Sequence, residues 1–285
     1  MEIRLADTCG FCLGVKRAIK KIESISNKNN LYVLGQLIHN PQAINNLKEQ
    51  GVKFVDHLDD IATGTVVISA HGIADSIIEL AKSRGLNIID TTCLLVKNVH
   101  QITKRLESIG RKVIIFGDNK HIEVKGIAGN LNNPIIIDDS YNLNDLAENN
   151  YGLVSQTTRE PKAFNNIAQK LKERFPNIIV KDTICAATKD RQRDAEELAK
   201  KSDLIIVIGG YNSSNTKKLK TVCEKFTKAY HIEYSNELKQ EWFDGCNNIG
   251  VTAGASTPQS TIDSVIERIE KITKKRTSTP GGCSS

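Results

Sequence analysis

The sequence lacks the long apolar run that crosses a membrane and the apolar leader that directs export. A membrane-spanning helix takes about 20 apolar residues, and the N-terminal segment MEIRLADTCG is interrupted by charges. Seven cysteines, an odd number, do not suggest a disulfide framework in a chain of this length. We therefore expect a cytoplasmic protein without membrane contact, whose thiols are metal ligands or buried side chains.

The common nucleotide-binding motifs are also missing. The sequence has no Gly-Lys-Ser/Thr phosphate loop and no strong G-x-G-x-x-G pattern. The net charge of +6 comes from lysines and arginines spread over helical segments with interleaved glutamates, which is typical of a solvated surface. We expect no nucleic-acid partner. A hydrophobic content of 39% predicts a globular protein with a substantial core.

What the chain does contain is one pattern repeated three times. In each copy a cysteine precedes an amphipathic segment and then an apolar strand that ends in glycine: LYVLG, VIIFG and LIIVIG. The repeated cysteines are Cys12, Cys93 and Cys185, and a polar residue stands four positions after each glycine (His39, His121 and Ser213). A packing role does not follow a repeat so closely. The spacing therefore predicts a shared function for the three thiols.

Each copy continues with a helix, a strand, a second strand that runs into a small-residue turn, and another helix. The first two copies close with a strand and the related tetrapeptides DTTC and DTIC. The third copy has no closing strand, and we expect the N-terminal segment EIRLAD to supply it. The predicted lobes are 12–92, 93–184, and 185–272 together with 1–11, followed by a disordered tail over 273–285.

This alternation of strands and helices predicts an α/β protein. We expect three pseudo-threefold-related lobes around a central cavity, each with a small, mostly parallel sheet flanked by helices. Ligands of parallel sheets bind at the carboxyl ends of the strands. Because every repeated cysteine and polar turn falls at such an end, the three thiols are expected to face one pocket.

The N-terminal copy offers two cysteines for the repeated position. Counting from the helix favours Cys12, whereas counting from the strand favours Cys9, and we choose Cys12 because it directly precedes Leu13-Gly14-Val15. Three thiolates suit an iron–sulfur cluster, with a zinc site or simple burial as the alternatives. Structural roles are expected for Cys223 and Cys246, and Cys283 belongs to the tail.

Polar side chains just past strand ends form a second candidate set. Its members are His39, His71, His121, Ser213, Ser214, Asn215 and Ser256. Hydroxyl, amide and imidazole groups at helix starts suit phosphate oxygens, although helix capping is the alternative for Asn215 and Ser256. Six charge-assisted hydrogen bonds of about 1.5–3 kcal/mol each are enough to hold a diphosphate.

Glu123 is the only acid among these loops, and Thr157 occupies the matching turn SQTT of the second copy. A carboxyl group in a closed cavity has a raised pKa and serves as a proton source. A surface glutamate is the alternative. We expect Glu123 to supply a proton that Thr157 positions or relays.

Taken together, these motifs resemble the 4-hydroxy-3-methylbut-2-enyl diphosphate reductase family. The resemblance covers about residues 2–272 and rests on GFCLGV, IHN, SAHG, DTTC, HIE, SQTT, DTIC, RQ, NSSN and TAGAST. Two positions depart from the family pattern, since Leu94 and Ile122 stand where the family usually has proline. Both changes are expected to alter loop stiffness rather than chemistry.

The resemblance implies a [4Fe–4S] cluster held by Cys12, Cys93 and Cys185, with one iron that has no cysteine ligand. It implies reductive dehydroxylation of an allylic diphosphate to isopentenyl and dimethylallyl diphosphate, the last step of the methylerythritol phosphate isoprenoid pathway. It also implies that a ferredoxin or flavodoxin supplies two electrons, that Glu123 and Thr157 are catalytic, and that the polar set binds diphosphate. A cluster-bearing sensor and a zinc-dependent hydrolase are the competing interpretations.

Overall fold

The computed structural model describes residues 1–277 and contains three four-stranded sheets in which every strand pair is parallel. The strands are β1 Glu2–Leu5, β2 Leu31–Leu34, β3 Lys53–Val55, β4 Thr65–Ile68, β5 Asn87–Asp90, β6 Lys112–Phe116, β7 Ile135–Ile137, β8 Tyr151–Ser155, β9 Ile179–Val180, β10 Leu204–Ile208, β11 Lys228–Ile232 and β12 Asn248–Ala253. The helices are α1 Leu13–Glu23, α2 Pro41–Glu49, α3 Asp75–Ser83, α4 Leu94–Ser108, α5 Ile122–Ala128, α6 Pro161–Arg174, α7 Ala186–Ala199, α8 Ser214–Cys223 and α9 Gln259–Thr277.

The three sheets share one strand order. Their orders are β5-β4-β2-β3, β9-β8-β6-β7 and β1-β12-β10-β11. The N-terminal strand β1 lies beside β12, with Glu2 opposite Asn248 and Leu5 opposite Val251. It therefore occupies the edge where the third copy was expected to lack a strand. The predicted α/β fold, with three parallel sheets flanked by helices, is confirmed.

The residues group into two compact units. The middle unit comprises Leu13–Ile38 and Ile44–Lys189 and holds the sheets β5-β4-β2-β3 and β9-β8-β6-β7. The terminal unit comprises Met1–Cys12, His39–Ala43 and the chain from residue 190 onwards, and it holds the sheet β1-β12-β10-β11. The three lobe boundaries predicted from the sequence remain predictions.

The central strands are mostly apolar because helices cover both faces of a parallel sheet. In the terminal unit, the β10 residues Ile206 and Ile208 pack with Ile262 and Val265 of α9. On the other face, Ile205 of β10 joins residues of α7 and α8. Burying each such side chain contributes about 1.5–3 kcal/mol. The sheets are thus rigid supports for the loops at their carboxyl ends.

The C-terminal helix extends further than the sequence suggests. Helix α9 ends at Thr277, so the start of the tail predicted at residue 273 is wrong. The Lys274 ammonium lies 3.2 Å from the Glu270 carboxylate one turn earlier, a spacing that supports another helical turn. The rest of the predicted tail, including Cys283, lies outside the described residues. Within residues 1–277 no helix has the length and apolarity to cross a membrane.

Candidate active site

The three repeated cysteines occupy equivalent backbone positions. Each directly precedes a helix, and its backbone N–H donates to a carbonyl in the turn that follows the third strand of a sheet. The donor–acceptor pairs, each 3.0 Å from N to O, are Cys12 to Ala255, Cys93 to Ala70 and Cys185 to Thr157. The sequence repeat is therefore also a repeat of hydrogen bonding.

Cys9 does not share this position. Its side chain packs against the apolar core of the terminal unit, and burial raises the pKa of its thiol to about 11, although Arg191 favours the thiolate. Gly10 follows with a φ of 77°, a left-handed conformation that suits glycine. The chain turns there before Cys12 bonds to Ala255. These contacts support the choice of Cys12.

The two cysteine loops of the middle unit are held by the same side-chain contacts. Asp90 accepts a hydrogen bond from the amide two residues later (2.8 Å), and its other oxygen lies 2.5 Å from the Lys97 ammonium. Asp182 accepts from the amide two residues later (3.0 Å) and lies 2.5 Å from Lys189. The aspartate of each tetrapeptide thus ties its loop to the first turns of the helix after the cysteine.

The donor set fits a thiolate-bound metal centre. All three cysteines are partly exposed, and each directly precedes the first residue of a helix. None of the six cysteines within residues 1–277 forms a disulfide. Thiols of this kind are the ligands that zinc ions and iron–sulfur clusters take.

Glu123 and Thr157 form a buried pair in the middle unit. The Thr157 backbone N–H donates to Glu123 Oε1 (2.7 Å), and its hydroxyl donates to Oε2 (2.9 Å). Glu123 is only 1% exposed. Burial raises the pKa of its carboxyl group to about 7, although both bonds from Thr157 favour the carboxylate. Because Thr157 also accepts from the Cys185 amide, one residue joins the acid to a cysteine loop.

Two of the predicted histidines, His71 and His121, contact each other in the middle unit. His121 caps α5, since its Nδ1 accepts from the Glu123 backbone N–H (3.2 Å). Its ring meets the His71 ring edge-on, with centroids 5.6 Å apart. Burial lowers the pKa of His121, which favours the neutral imidazole. The structure thus brings together His71, His121, Glu123 and Thr157 within the middle unit.

A glycine in α5 permits this arrangement. A Cβ atom on Gly126 would lie 3.1 Å from the Gly72 carbonyl oxygen and 3.2 Å from Ile73 Cα. Helix α5 therefore packs directly on the backbone of the turn that carries His71. A larger side chain at residue 126 would move that turn away from His121.

The terminal unit supplies a second polar group. Ser213 caps α8 by accepting from the Thr216 N–H (3.3 Å). Asn215 lies inside α8 and Ser213 caps that helix, so the alternative interpretation of Asn215 as the helix cap is wrong. Both polar side-chain atoms of Asn215 are buried and make no hydrogen bond to any part of the chain that the structure describes. An unsatisfied buried amide costs about 1–3 kcal/mol, which a bound ligand would recover.

The remaining polar positions show less definite geometry. His39 immediately precedes Asn40, whose Oδ1 accepts from the Ala43 N–H (2.9 Å) and caps α2. Asn40 was not predicted, although asparagine before a proline that opens a helix is a recognisable cap signal. Ser214 and Ser256 are half-buried. The terminal unit thus holds His39, Ser213, Ser214, Asn215 and Ser256.

The two departures from the family pattern occupy the same structural position. Leu94 is the first residue of α4 and Ile122 the first residue of α5. Proline suits this position because its fixed φ matches the helix and its missing N–H has no partner there. Both helices begin at these residues without proline, and the expected effect on loop stiffness remains a prediction.

Comparison with known proteins identifies the family. The model of the LytB protein family matches residues 3–270. The chain belongs to the LytB protein family. The 4-hydroxy-3-methylbut-2-enyl diphosphate reductase of Clostridioides difficile (strain 630) is 41% identical over 279 residues, covering 95% of this chain and 100% of that protein. The protein of the same name from Geobacter sulfurreducens is 40% identical over 282 residues, covering 97% and 99%.

Solved structures agree with this LytB assignment. The reductase of Plasmodium falciparum, named E-1-hydroxy-2-methyl-but-2-enyl-4-diphosphate reductase, superposes with a TM-score of 0.89 at 32% identity and covers 94% of this chain and 87% of that one. A second structure, described as the terminal enzyme of the non-mevalonate pathway, gives a TM-score of 0.70 at 38% identity, covering 95% and 100%. The resemblance predicted from the motifs, to a family of oxidoreductases, is confirmed.

Proposed function

We propose that this LytB protein carries out the reaction after which its relatives are named, the reduction of 4-hydroxy-3-methylbut-2-enyl diphosphate. The products are isopentenyl and dimethylallyl diphosphate, formed in the last step of the methylerythritol phosphate pathway. The observation that carries the proposal is the role of Thr157, which bonds to both Glu123 and the Cys185 amide. An acid with a pKa near 7 is thereby tied to a loop that offers a metal ligand.

The three repeated cysteines are proposed to hold a [4Fe–4S] cluster with one iron that has no cysteine ligand. Their identical backbone bonds and their positions at helix N-termini support this assignment. When bound, the cluster supplies electrons singly and offers a Lewis-acidic iron to the allylic hydroxyl group. The balanced reaction takes two electrons and two protons, breaks the C–O bond and releases water.

The polar side chains are proposed to hold the diphosphate. The set comprises His39, His71, His121, Ser213, Ser214, Asn215 and Ser256. The strongest support comes from Asn215, whose buried amide has no hydrogen-bond partner among the described residues. The adjacent N-terminus of α8 also favours an anion. Contacts of this kind hold the phosphate oxygens of a diphosphate through hydrogen bonds.

Glu123 is proposed to hold and deliver a proton. With a pKa of about 7, set by burial, its carboxyl group is substantially protonated near neutral pH and remains able to release the proton. Thr157 holds both carboxylate oxygens and therefore fixes the direction of transfer. A sensor without turnover has no need of such an acid.

The electrons are proposed to come from a ferredoxin or a flavodoxin in the cytoplasm. Helix α1 supports an acidic partner, because Lys16, Arg17 and Lys20 are exposed along it. Leu13 is 80% exposed and Leu94 60% exposed, and each directly follows a repeated cysteine. Apolar contacts next to a positively charged helix suit a small acidic electron carrier.

The test is to purify the protein without oxygen, determine iron and sulfide, and assay the hydroxylated diphosphate with a chemical reductant. We expect a brown protein with about four irons and four sulfides per chain, which releases both five-carbon diphosphates. A colourless zinc protein, or a cluster protein that binds the substrate without converting it, would contradict the proposal.

A further inference from the structure

The loop that leads to Cys12 is held by an arginine from α7. Arg191 is only 4% exposed. Its Nη1 donates to the backbone carbonyls of Thr8 and Ala253, both at 3.1 Å, and its Nη2 donates to the carbonyl of Gly10 at 3.0 Å. The planar guanidinium therefore connects the Cys12 loop to the end of β12.

The same helix holds the loop a second time. The Thr8 hydroxyl donates to the Asp194 carboxylate (2.7 Å), one turn after Arg191 on α7. At the other side, β12 ends at Ala253 and leads to Ala255, whose carbonyl accepts from the Cys12 amide. Arg191 thus donates hydrogen bonds to both segments that the Cys12–Ala255 backbone bond connects, the loop before Cys12 and the end of β12.

This contact replaces the aspartate–lysine pairs of the other two loops. There, Asp90 and Asp182 reach the amide two residues on and a lysine of the following helix. The Cys12 loop is longer, since Cys9 and Gly10 lie between the strand segment and the cysteine. A longer loop loses more conformational entropy when it is ordered. Its ordering therefore requires a side chain that bonds to several backbone groups at once, as Arg191 does.

We propose that Arg191 is a positioning residue that holds Cys12 in the geometry needed for cluster ligation. This inference rests on the proposed function. A guanidinium group donates in a fixed fork to several carbonyls at once, whereas the lysine ammonium is a compact charge whose three donors have no fixed planar arrangement. Residues that orient metal ligands typically change metal affinity by 10–100-fold when they are replaced.

The first test uses the apoprotein and needs no cluster. In Arg191→Met, hydrogen exchange measured by mass spectrometry is expected to show lost protection in peptides that span residues 8–12. Peptides that span residues 90–97 keep their protection, because Asp90 and Lys97 still hold that loop. Unchanged exchange over residues 8–12 would overturn the inference.

Arg174→Met is the matched control. The Arg174 guanidinium also donates to backbone carbonyls, those of Leu143 and Leu146, but it holds a loop without a cysteine. Both variants lose a positive charge and hydrogen bonds to backbone carbonyls; Arg174 is exposed, whereas Arg191 is buried. Only Arg191→Met is expected to bind its cluster about 10–100-fold more weakly and to change the electron paramagnetic resonance signal of the reduced protein.

Arg191→Lys keeps the charge and separates positioning from electrostatics. We expect it to remain folded, to hold its cluster more weakly than the wild type, and to show a shifted resonance signal. If Arg191→Met is insoluble, both measurements are made on the lysine variant. A wild type without any cluster would refute the proposed function, whereas a cluster held equally by wild type and both Arg191 variants would refute this inference alone.

Discussion

The middle and terminal units hold the loops of their repeated cysteines with different side chains. In the middle unit, an aspartate and a lysine secure each cysteine loop, with Asp90 and Lys97 around Cys93. In the terminal unit, the buried Arg191 secures the loop of Cys12. The backbone bond from the cysteine amide to a turn carbonyl is nevertheless the same 3.0 Å in all three. The common requirement is therefore the position of the thiol, and the contacts that achieve it vary.

The largest effect is expected from the comparison of the two N-terminal cysteines. Cys12→Ser removes a proposed iron ligand, so it should lose the cluster and reduce activity by more than the roughly 10–100-fold typical of indirect contacts. Cys9→Ser changes only a partly buried packing residue and should keep its iron. Iron content and turnover are measured on both variants after anaerobic reconstitution. The reverse result would assign the repeated position to Cys9.

The next largest effect concerns the proton donor. Glu123→Gln keeps the shape and one of the two acceptor oxygens for Thr157 but cannot release a proton, so kcat should fall by about 10²–10⁴-fold. Substrate affinity and iron content should stay close to those of the wild type. Single-turnover product formation and iron analysis check both points. A variant with undiminished kcat would remove Glu123 from the reaction.

The raised pKa of Glu123 also predicts how stability depends on pH. Because the folded pKa is about 7 against an ordinary 4.5, the stability contributed by the neutral carboxyl is complete below about 4.5. This contribution to the free energy of unfolding is lost as the pH rises through about 7, and the total loss is about 3 kcal/mol. Relative to wild type, Glu123→Gln should therefore gain thermal stability between pH 5 and 8.

Thr157→Val provides the control for this window. Loss of the hydroxyl that favours the carboxylate should raise the pKa of Glu123 further and move the loss of stability to higher pH. Thermal unfolding of the three proteins is followed from pH 5 to 9. A constant difference between wild type and Glu123→Gln over that range would show that the carboxyl group does not titrate there.

The smallest effect is expected at the two aspartates. Asp90→Asn and Asp182→Asn keep the acceptor for the loop amide but lose the charge pair with lysine. Because these pairs are partly exposed, each should cost less than about 1 kcal/mol and should lose its effect at high salt. Denaturant unfolding at low and high ionic strength measures this. A large loss at only one aspartate would show that the two loops are not held alike.

Much of the fold follows from local patterns in the sequence. Apolar strands ending in glycine, and helices after each turn, predict the parallel sheets, and the missing closing strand predicts the pairing of β1 with β12. The same spacing predicts the three cysteines, because residues at equivalent places in a repeat share backbone geometry. The Asp-to-Lys spacing around Cys93 and Cys185 is also visible in the sequence and is a usable signal for their loops.

The rest depends on contacts between distant residues. Counting residues does not separate Cys9 from Cys12, since two extra residues lie between the strand and the helix. The structure distinguishes them by the Cys12–Ala255 bond and by the packing of Cys9 against the apolar core. The hydrogen bonds from Arg191 to the carbonyls of Thr8 and Gly10 connect α7 with the N-terminal loop, which lies far from it in the sequence. The sequence pattern of α7 does not predict these contacts, because a buried arginine on a charged helix looks the same in the sequence as an exposed one.

The most direct measurement is iron and sulfide content of the Cys12→Ser, Cys93→Ser and Cys185→Ser variants beside Cys9→Ser, all reconstituted without oxygen. We expect the first three to lose their visible absorbance and their turnover together, while Cys9→Ser retains both. Full iron content in any one of the three repeated-position variants would contradict a centre built by equivalent cysteines.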